Sequence, residues 1–190
     1  MLVQLAIFAS GSGSNAQNIA EYFQHHPRIR VRLVLSNRLG AGVLERAARL
    51  GIETLVFDRN DFYEKDTVLH ALQTAKIDWV ILAGFLWLVP SYLLKAFPQR
   101  ILNIHPALLP RYGGKGMYGH HVHEAVKAAG ETESGITIHF ANEHFDEGKI
   151  IFQARCALLP EDTPQTIAQK VQALEHAYFP KVIAETIESL

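Results

Sequence analysis

The chain has 190 residues, enough for one sizeable hydrophobic core and too few to make two full domains the expectation. Hydrophobic residues make up 48% and charged residues 19%, which excludes a disordered chain; a formal net charge of −1 with no basic stripe argues against a nucleic-acid binder. Cys156 is the single cysteine, so neither an internal disulfide nor a cysteine-built zinc site is expected, and a reducing compartment such as the cytoplasm fits.

The first residues lack a basic segment and run straight into a glycine loop, so they read as a strand and not as a secretory signal. The longest apolar run, 79–89, is broken by Gly84 and is too short to cross a bilayer; no membrane association is expected. Strands are expected at 2–9, 31–36, 54–57, 79–83 and 101–105. Helices are expected at 15–23, 42–50, 60–75 and 91–97. This alternation predicts an α/β fold with a mostly parallel sheet flanked by helices on both faces. The near-continuous apolar strand Trp79-Val-Ile-Leu-Ala is of the kind a buried parallel sheet needs.

The C-terminal third changes character. Gly135-Ile-Thr-Ile-His-Phe alternates with period two, giving an apolar face (Ile136, Ile138, Phe140) and a polar one (Thr137, His139). A second run, 149–158, follows the tight Asp146-Glu-Gly148 segment, and the two read as a hairpin added antiparallel at one edge. A last helix starts at Thr163 and Pro164 with the apolar stripe Ile167, Val171, Leu174 and Tyr178. The expectation is one domain over 1–190.

Ser10-Gly-Ser-Gly-Ser-Asn15 joins the first strand to the first helix. Such a junction offers backbone N–H groups at a helix N-terminus and favours an anion, a phosphate above all; a plain tight turn is the alternative. Gly11, Gly13 and Ala16 satisfy the relaxed dinucleotide fingerprint, but Ser36-Asn37-Arg38 stands where NAD binding wants an acid. NADP through Arg38 stays open.

Asn103 and His105 are two apart on a strand and share a face, and Pro106 ends that strand. An amide donor beside an imidazole suits stabilisation of an oxyanion with proton transfer, although a core histidine beside an asparagine turn fits equally. A carboxylate from Asp146, if folding brings it near, would raise the imidazole pKa and orient the ring. His139 reads either as a partner to this pair or as a packed histidine. His120, His121 and His123 are not at the spacing of a zinc helix, so no metal is expected. Glu175 falls on or beside the last helix's apolar stripe, where a ligand's amine or ribose hydroxyls, or a protein cation, would have to satisfy it.

Gly-Ser-Gly-Ser-Asn (11–15), Leu-Ala-Gly-Phe (82–85), Leu-Asn-Ile-His-Pro-Ala-Leu-Leu-Pro (102–110), Gly-Ile-Thr-Ile-His-Phe (135–140), Asp146-x-Gly148 and Val-Gln-Ala-Leu-Glu-His-Ala (171–177) together resemble the phosphoribosylglycinamide formyltransferases. The resemblance runs through almost the whole chain. It implies a Rossmann-like fold and transfer of a formyl group from 10-formyltetrahydrofolate to a ribonucleotide amine, without metal. It implies that Gly11, Ser12, Gly13, Ser14, Asn15, Gln172 and Glu175 contact the ribonucleotide. Leu86, Trp87, Leu88, Val89, Asn103, Asn142 and Asp146 would line the folate pocket. Asn103 would polarise the formyl carbonyl, protonated His105 would donate the proton, and Asp146 would support it. The resemblance also implies a cis Leu109–Pro110 bond, small-molecule partners, and a monomer or homodimer.

Two departures from the pattern stand out. Some relatives have arginine where this chain has Trp87, and the loop after Pro110 is longer than in some. No counterpart is evident for an arginine that some members use near Asn60. The rival readings are hydrolysis of the same folate, formylation of a sugar amine, and a non-enzymatic NADP- or nucleotide-binding module.

Overall fold

A computed structural model describes residues 2–189. The elements run β1 (Val3–Phe8), α1 (Ser14–Phe23), β2 (Ile29–Ser36), α2 (Gly42–Arg49), β3 (Glu53–Val56), α3 (Arg59–Tyr63), α4 (Thr67–Thr74), β4 (Trp79–Leu82), α5 (Ser91–Ala96), β5 (Ile101–His105), α6 (His120–Ala128), β6 (Glu133–Phe140), β7 (Ile150–Ala157) and α7 (Pro164–Glu188). The strands form one sheet of order β3-β2-β1-β4-β5-β6-β7. Pairing is parallel for β1 with β2 and β4 and for β2 with β3, and antiparallel for β6 with β7. The expected α/β class with an antiparallel addition in the last third is therefore the observed one.

The chain divides into two compact units, Met1–Leu102 and Asn103–Leu190. In the first, Leu5, Ala6, Ile7 and Phe8 are buried on both strand faces, which is why β1 carries no alternation. Phe8, Phe57, Phe62, Phe85 and Trp87 pack edge-on or tilted, with centroids 5.1–6.3 Å apart. The helix expected over 60–75 is two helices. An Asp58/Asp61 capping box starts α3, and the exposed run Glu64-Lys65-Asp66 supplies nothing to bury between α3 and α4.

In the second unit, β6 is buried on both faces, including Thr137 at 0% and His139 at 2% exposure. The polar side of the strand is thus an interior one. Thr137 Oγ1 donates to Ala107 O and accepts from Leu109 N–H and Gln153, so a buried hydroxyl ties the segment after β5 to the hairpin. The stripe of α7 departs from expectation. After Ile167 and Val171 it continues through Phe179 and Ile183, while Leu174 is half-buried and Tyr178 exposed. These residues follow strict four-residue steps, and Glu175 occupies the row between Val171 and Phe179.

Candidate active site

The residues at the end of β5 are placed by the rule that alternate strand residues share a face. Asn103 and His105 therefore project together, and the hairpin brings His139 and Asp146 to them. Nδ1 of His105 lies 3.4 Å from Asp146 Oδ2, and Nε2 of His139 lies 3.6 Å from Asp146 Oδ1. Asn103 Nδ2 donates to His139 Nε2 at 2.9 Å and faces Asp146 Oδ1 at 3.4 Å. The Gly114 N–H donates to Asp146 Oδ2 at 2.9 Å. Asp146 is held at φ +60, a left-handed conformation that short polar side chains tolerate best.

Electrostatics follow from this burial. Removal from water pushes the His105 imidazole down; the Asp146 charge and the bond to the Tyr112 carbonyl push it up, and burial wins, leaving it below its ordinary value. The expected upward push from Asp146 is present, and burial outweighs it. Burial raises the Asp146 carboxyl, yet the facing His139 and His105 imidazoles and the Gly114 N–H together hold it below the usual carboxylate range. The group that sequence reasoning left undecided, His139, is thus a member of the cluster.

Beside the cluster is a cavity of about 360 Å³ walled by Leu109, Pro110, Gly113, Gly114, Phe145 and Asp146, among others. The Leu109–Pro110 bond is cis, as the resemblance implied. Asn142 Oδ1 accepts from the His144 N–H in the adjoining loop. A second cavity, of about 310 Å³, is lined by Gln172 and Glu175 together with His120 and His123. His123 is buried, and its pKa is pushed down to about 4, first by burial and then by the charges of His120 and His105. The two histidines escaped notice as companions of Glu175 because nothing in their spacing ties α6 to α7.

In the first unit the glycine loop is braced by its neighbours. Gly13 sits at φ +77 as the cap of α1, and a Cβ there would lie 2.5 Å from Val43 Cα, so only glycine fits. Arg46 Nε donates to Ser12 O at 2.8 Å, and its guanidinium also donates to Gln17. The Ser10 hydroxyl donates to Asn37 and accepts from the Leu86 N–H, which joins the loop to the segment Leu86, Trp87, Leu88 and Val89. Leu86, Trp87 and Leu88 are half-buried and Val89 is buried. The Arg59 guanidinium lies 5.2 Å from the Trp87 ring centroid and 5.5 Å from that of Tyr63. A cation thus stands beside the Trp87 ring.

Among the described residues no group of three or more His, Cys, Asp or Glu could hold a metal ion, and no helix is long and apolar enough to cross a membrane.

The model of the formyl transferase family matches residues 3–183, across both units. The chain belongs to the formyl transferase family. It is 41% identical over 191 aligned positions to the chloroplastic phosphoribosylglycinamide formyltransferase of Arabidopsis thaliana, covering 97% of this chain and 65% of that protein. It is 34% identical to phosphoribosylglycinamide formyltransferase of Escherichia coli K12, covering 96% and 86% respectively. Among solved structures, phosphoribosylglycinamide formyltransferase from Streptococcus pneumoniae TIGR4 superposes with a TM-score of 0.86 at 34% identity, covering 98% of this chain and 99% of that one. The chain spans less than two thirds of the length of the Arabidopsis relative, and these relatives and the solved structure are all phosphoribosylglycinamide formyltransferases.

Proposed function

We propose that the chain transfers the formyl group of 10-formyltetrahydrofolate to the amine of 5'-phosphoribosylglycinamide, as a step of de novo purine biosynthesis in the cytoplasm, and that residues 1–190 act as one formyltransferase domain. The reading rests above all on one observation in a chain of this family: a carboxylate with an imidazole nitrogen and an amide nitrogen each 3.4 Å from its oxygens, beside a cavity.

The amine nitrogen attacks the formyl carbon, and the C–O π pair moves onto oxygen. Asn103 Nδ2–H and His105 Nδ1–H stabilise that oxyanion. Negative charge growing beside His105 raises its pKa during the reaction and offsets the burial that lowers it beforehand. Collapse of the tetrahedral centre breaks the bond to N10 of the folate. The attacking amine gives up one proton and N10 takes one up, with Asp146 and His105 as the local carriers. No covalent enzyme intermediate is needed, since holding amine and formyl carbon together supplies much of the rate.

The loop Gly11, Ser12, Gly13, Ser14 and Asn15 is assigned to the phosphate, in keeping with its position at the start of α1. Gln172 and Glu175 are assigned to the ribonucleotide, in keeping with their place on a cavity wall. Leu86, Trp87, Leu88, Val89, Asn142 and Asp146 are assigned to the folate; the half-buried ring of Trp87 suits a flat heterocycle.

Incubation with 10-formyltetrahydrofolate, with and without the ribonucleotide amine, tests the reading by following loss of the formyl group. Loss that requires the amine supports transfer. Loss at the same rate without it replaces transfer by hydrolysis.

A further inference from the structure

Nε2 of His105 lies 2.7 Å from the backbone oxygen of Tyr112. A carbonyl oxygen only accepts, so Nε2 carries a hydrogen in every state that keeps this bond. The proton that His105 gains and loses is therefore the one on Nδ1, the nitrogen facing Asp146 Oδ2 at 3.4 Å. The other titratable groups that act on this ring are His139 and His123.

Tyr112 does not offer its carbonyl by backbone preference. Its φ is +58, a region that side-chain-bearing residues avoid. Something must hold it there, and the other end of the residue shows what. The phenol donates to Glu131 Oε1 at 2.7 Å, the Arg111 guanidinium lies 5.4 Å from the ring centroid, and Arg111 pairs with Glu131. Glu131 follows α6, and its side chain is only 15% exposed.

We propose that Tyr112 and Glu131 are positioning residues for the reaction: their phenol–carboxylate clamp holds the Tyr112 carbonyl on His105 Nε2 and so reserves Nδ1 as the site of the moving proton. The proposal rests on the reading of His105 as the acid in formyl transfer. Neither residue touches the reacting atoms; both act through His105.

The first test is made on the wild-type protein, by ¹⁵N NMR of labelled histidine. Neutral His105 is expected as the Nε2–H tautomer, and an Nδ1–H tautomer or an even mixture overturns the proposal. The second uses Tyr112→Phe and Glu131→Gln. Each is expected to lower kcat roughly three- to tenfold, the scale of one lost hydrogen bond. KM for both substrates should stay within about twofold. The high-pH limb of kcat should also move to lower pH, because loosening the carbonyl removes an acceptor that favours the imidazolium. A lowered melting temperature with the pH limb unmoved would show a merely structural role and overturn the proposal. Full turnover in His105→Ala would remove His105 as the acid while leaving the wild-type tautomer result to stand or fall by itself.

Discussion

Asn103 Nδ2 stands 2.9 Å from His139 Nε2, and this contact decides which amide hydrogen is left to meet a substrate oxygen. His139 Nδ1 donates to the Phe140 carbonyl at 2.9 Å, so Nε2 presents a lone pair and takes one hydrogen of the amide. The second is engaged only loosely, at 3.4 Å from Asp146 Oδ1. Replacing His139 by alanine frees the amide to rotate. The expected result is a fall in kcat of about 10- to 100-fold with KM for the folate little changed, the scale of one misaligned oxyanion donor. Steady-state kinetics check it, and a kcat near wild type would return His139 to simple packing.

His105→Ala and Asp146→Asn are each expected to slow the chemical step by about 10²- to 10⁴-fold, the usual share of a positioned acid, while both substrates still bind. Single-turnover formation of the folate product separates chemistry from release. In Asp146→Asn the remaining imidazole should titrate lower than in the wild type, since the charge that raises it is gone and the burial that lowers it stays. An upward shift by NMR titration would contradict the assigned pairing.

His123 sets a pH dependence of stability. Its pKa is about 4 in the folded protein against 6.5 as an ordinary histidine, so between these values the unfolded chain holds more protons than the native one. Its contribution is fully present above pH 6.5 and is lost progressively as pH falls toward 4, to a total of at most about 3 kcal/mol. Urea unfolding of wild type and His123→Gln across this range checks it. The variant should show the flatter dependence, and parallel curves would remove His123 as the cause.

Two glycines of one loop should respond differently to alanine. At Gly13 the added Cβ meets the Val43 backbone at 2.5 Å with φ at +77, and a loss of about 2 kcal/mol or more is expected. At Gly11 nothing lies within 4 Å, and stability should change by no more than about 0.5 kcal/mol. Thermal melts read both. A raised KM for the ribonucleotide in Gly11→Ala, at unchanged stability, would assign that loop position to binding; an unchanged KM would assign it to the turn alone.

What could be read in the residues was whatever side-chain pattern encodes directly. The strand over Ile101–His105 follows from an apolar run ended by Pro106, and Asn103 and His105 share a face because strands have period two. The approach of Asp146 to His105 needed the family resemblance, since no local pattern relates a turn aspartate to a distant strand end. His139 stayed undecided for a physical reason: alternation shows that a polar face exists, and only the fold shows that this face is covered. The Tyr112 carbonyl was out of reach altogether, because a backbone atom's direction leaves no trace in side-chain spacing. The upward push of Asp146 on His105 can be argued from residue types, whereas the competing loss of hydration depends on depth and is read only from the fold.

The pairing of β6 with β7 slips between Ile138 and His139: Ile138 lies opposite Phe152 and His139 opposite Ile150, so Ile151 is supernumerary in the ladder. That surplus residue acts as a frame marker for the hairpin that carries His139. Loops of other lengths grafted between Phe140 and Ile150 would leave the marker intact. Removing a single residue at 150–152 would recast an irregular ladder as an even one and re-aim the imidazole on which Asn103 depends.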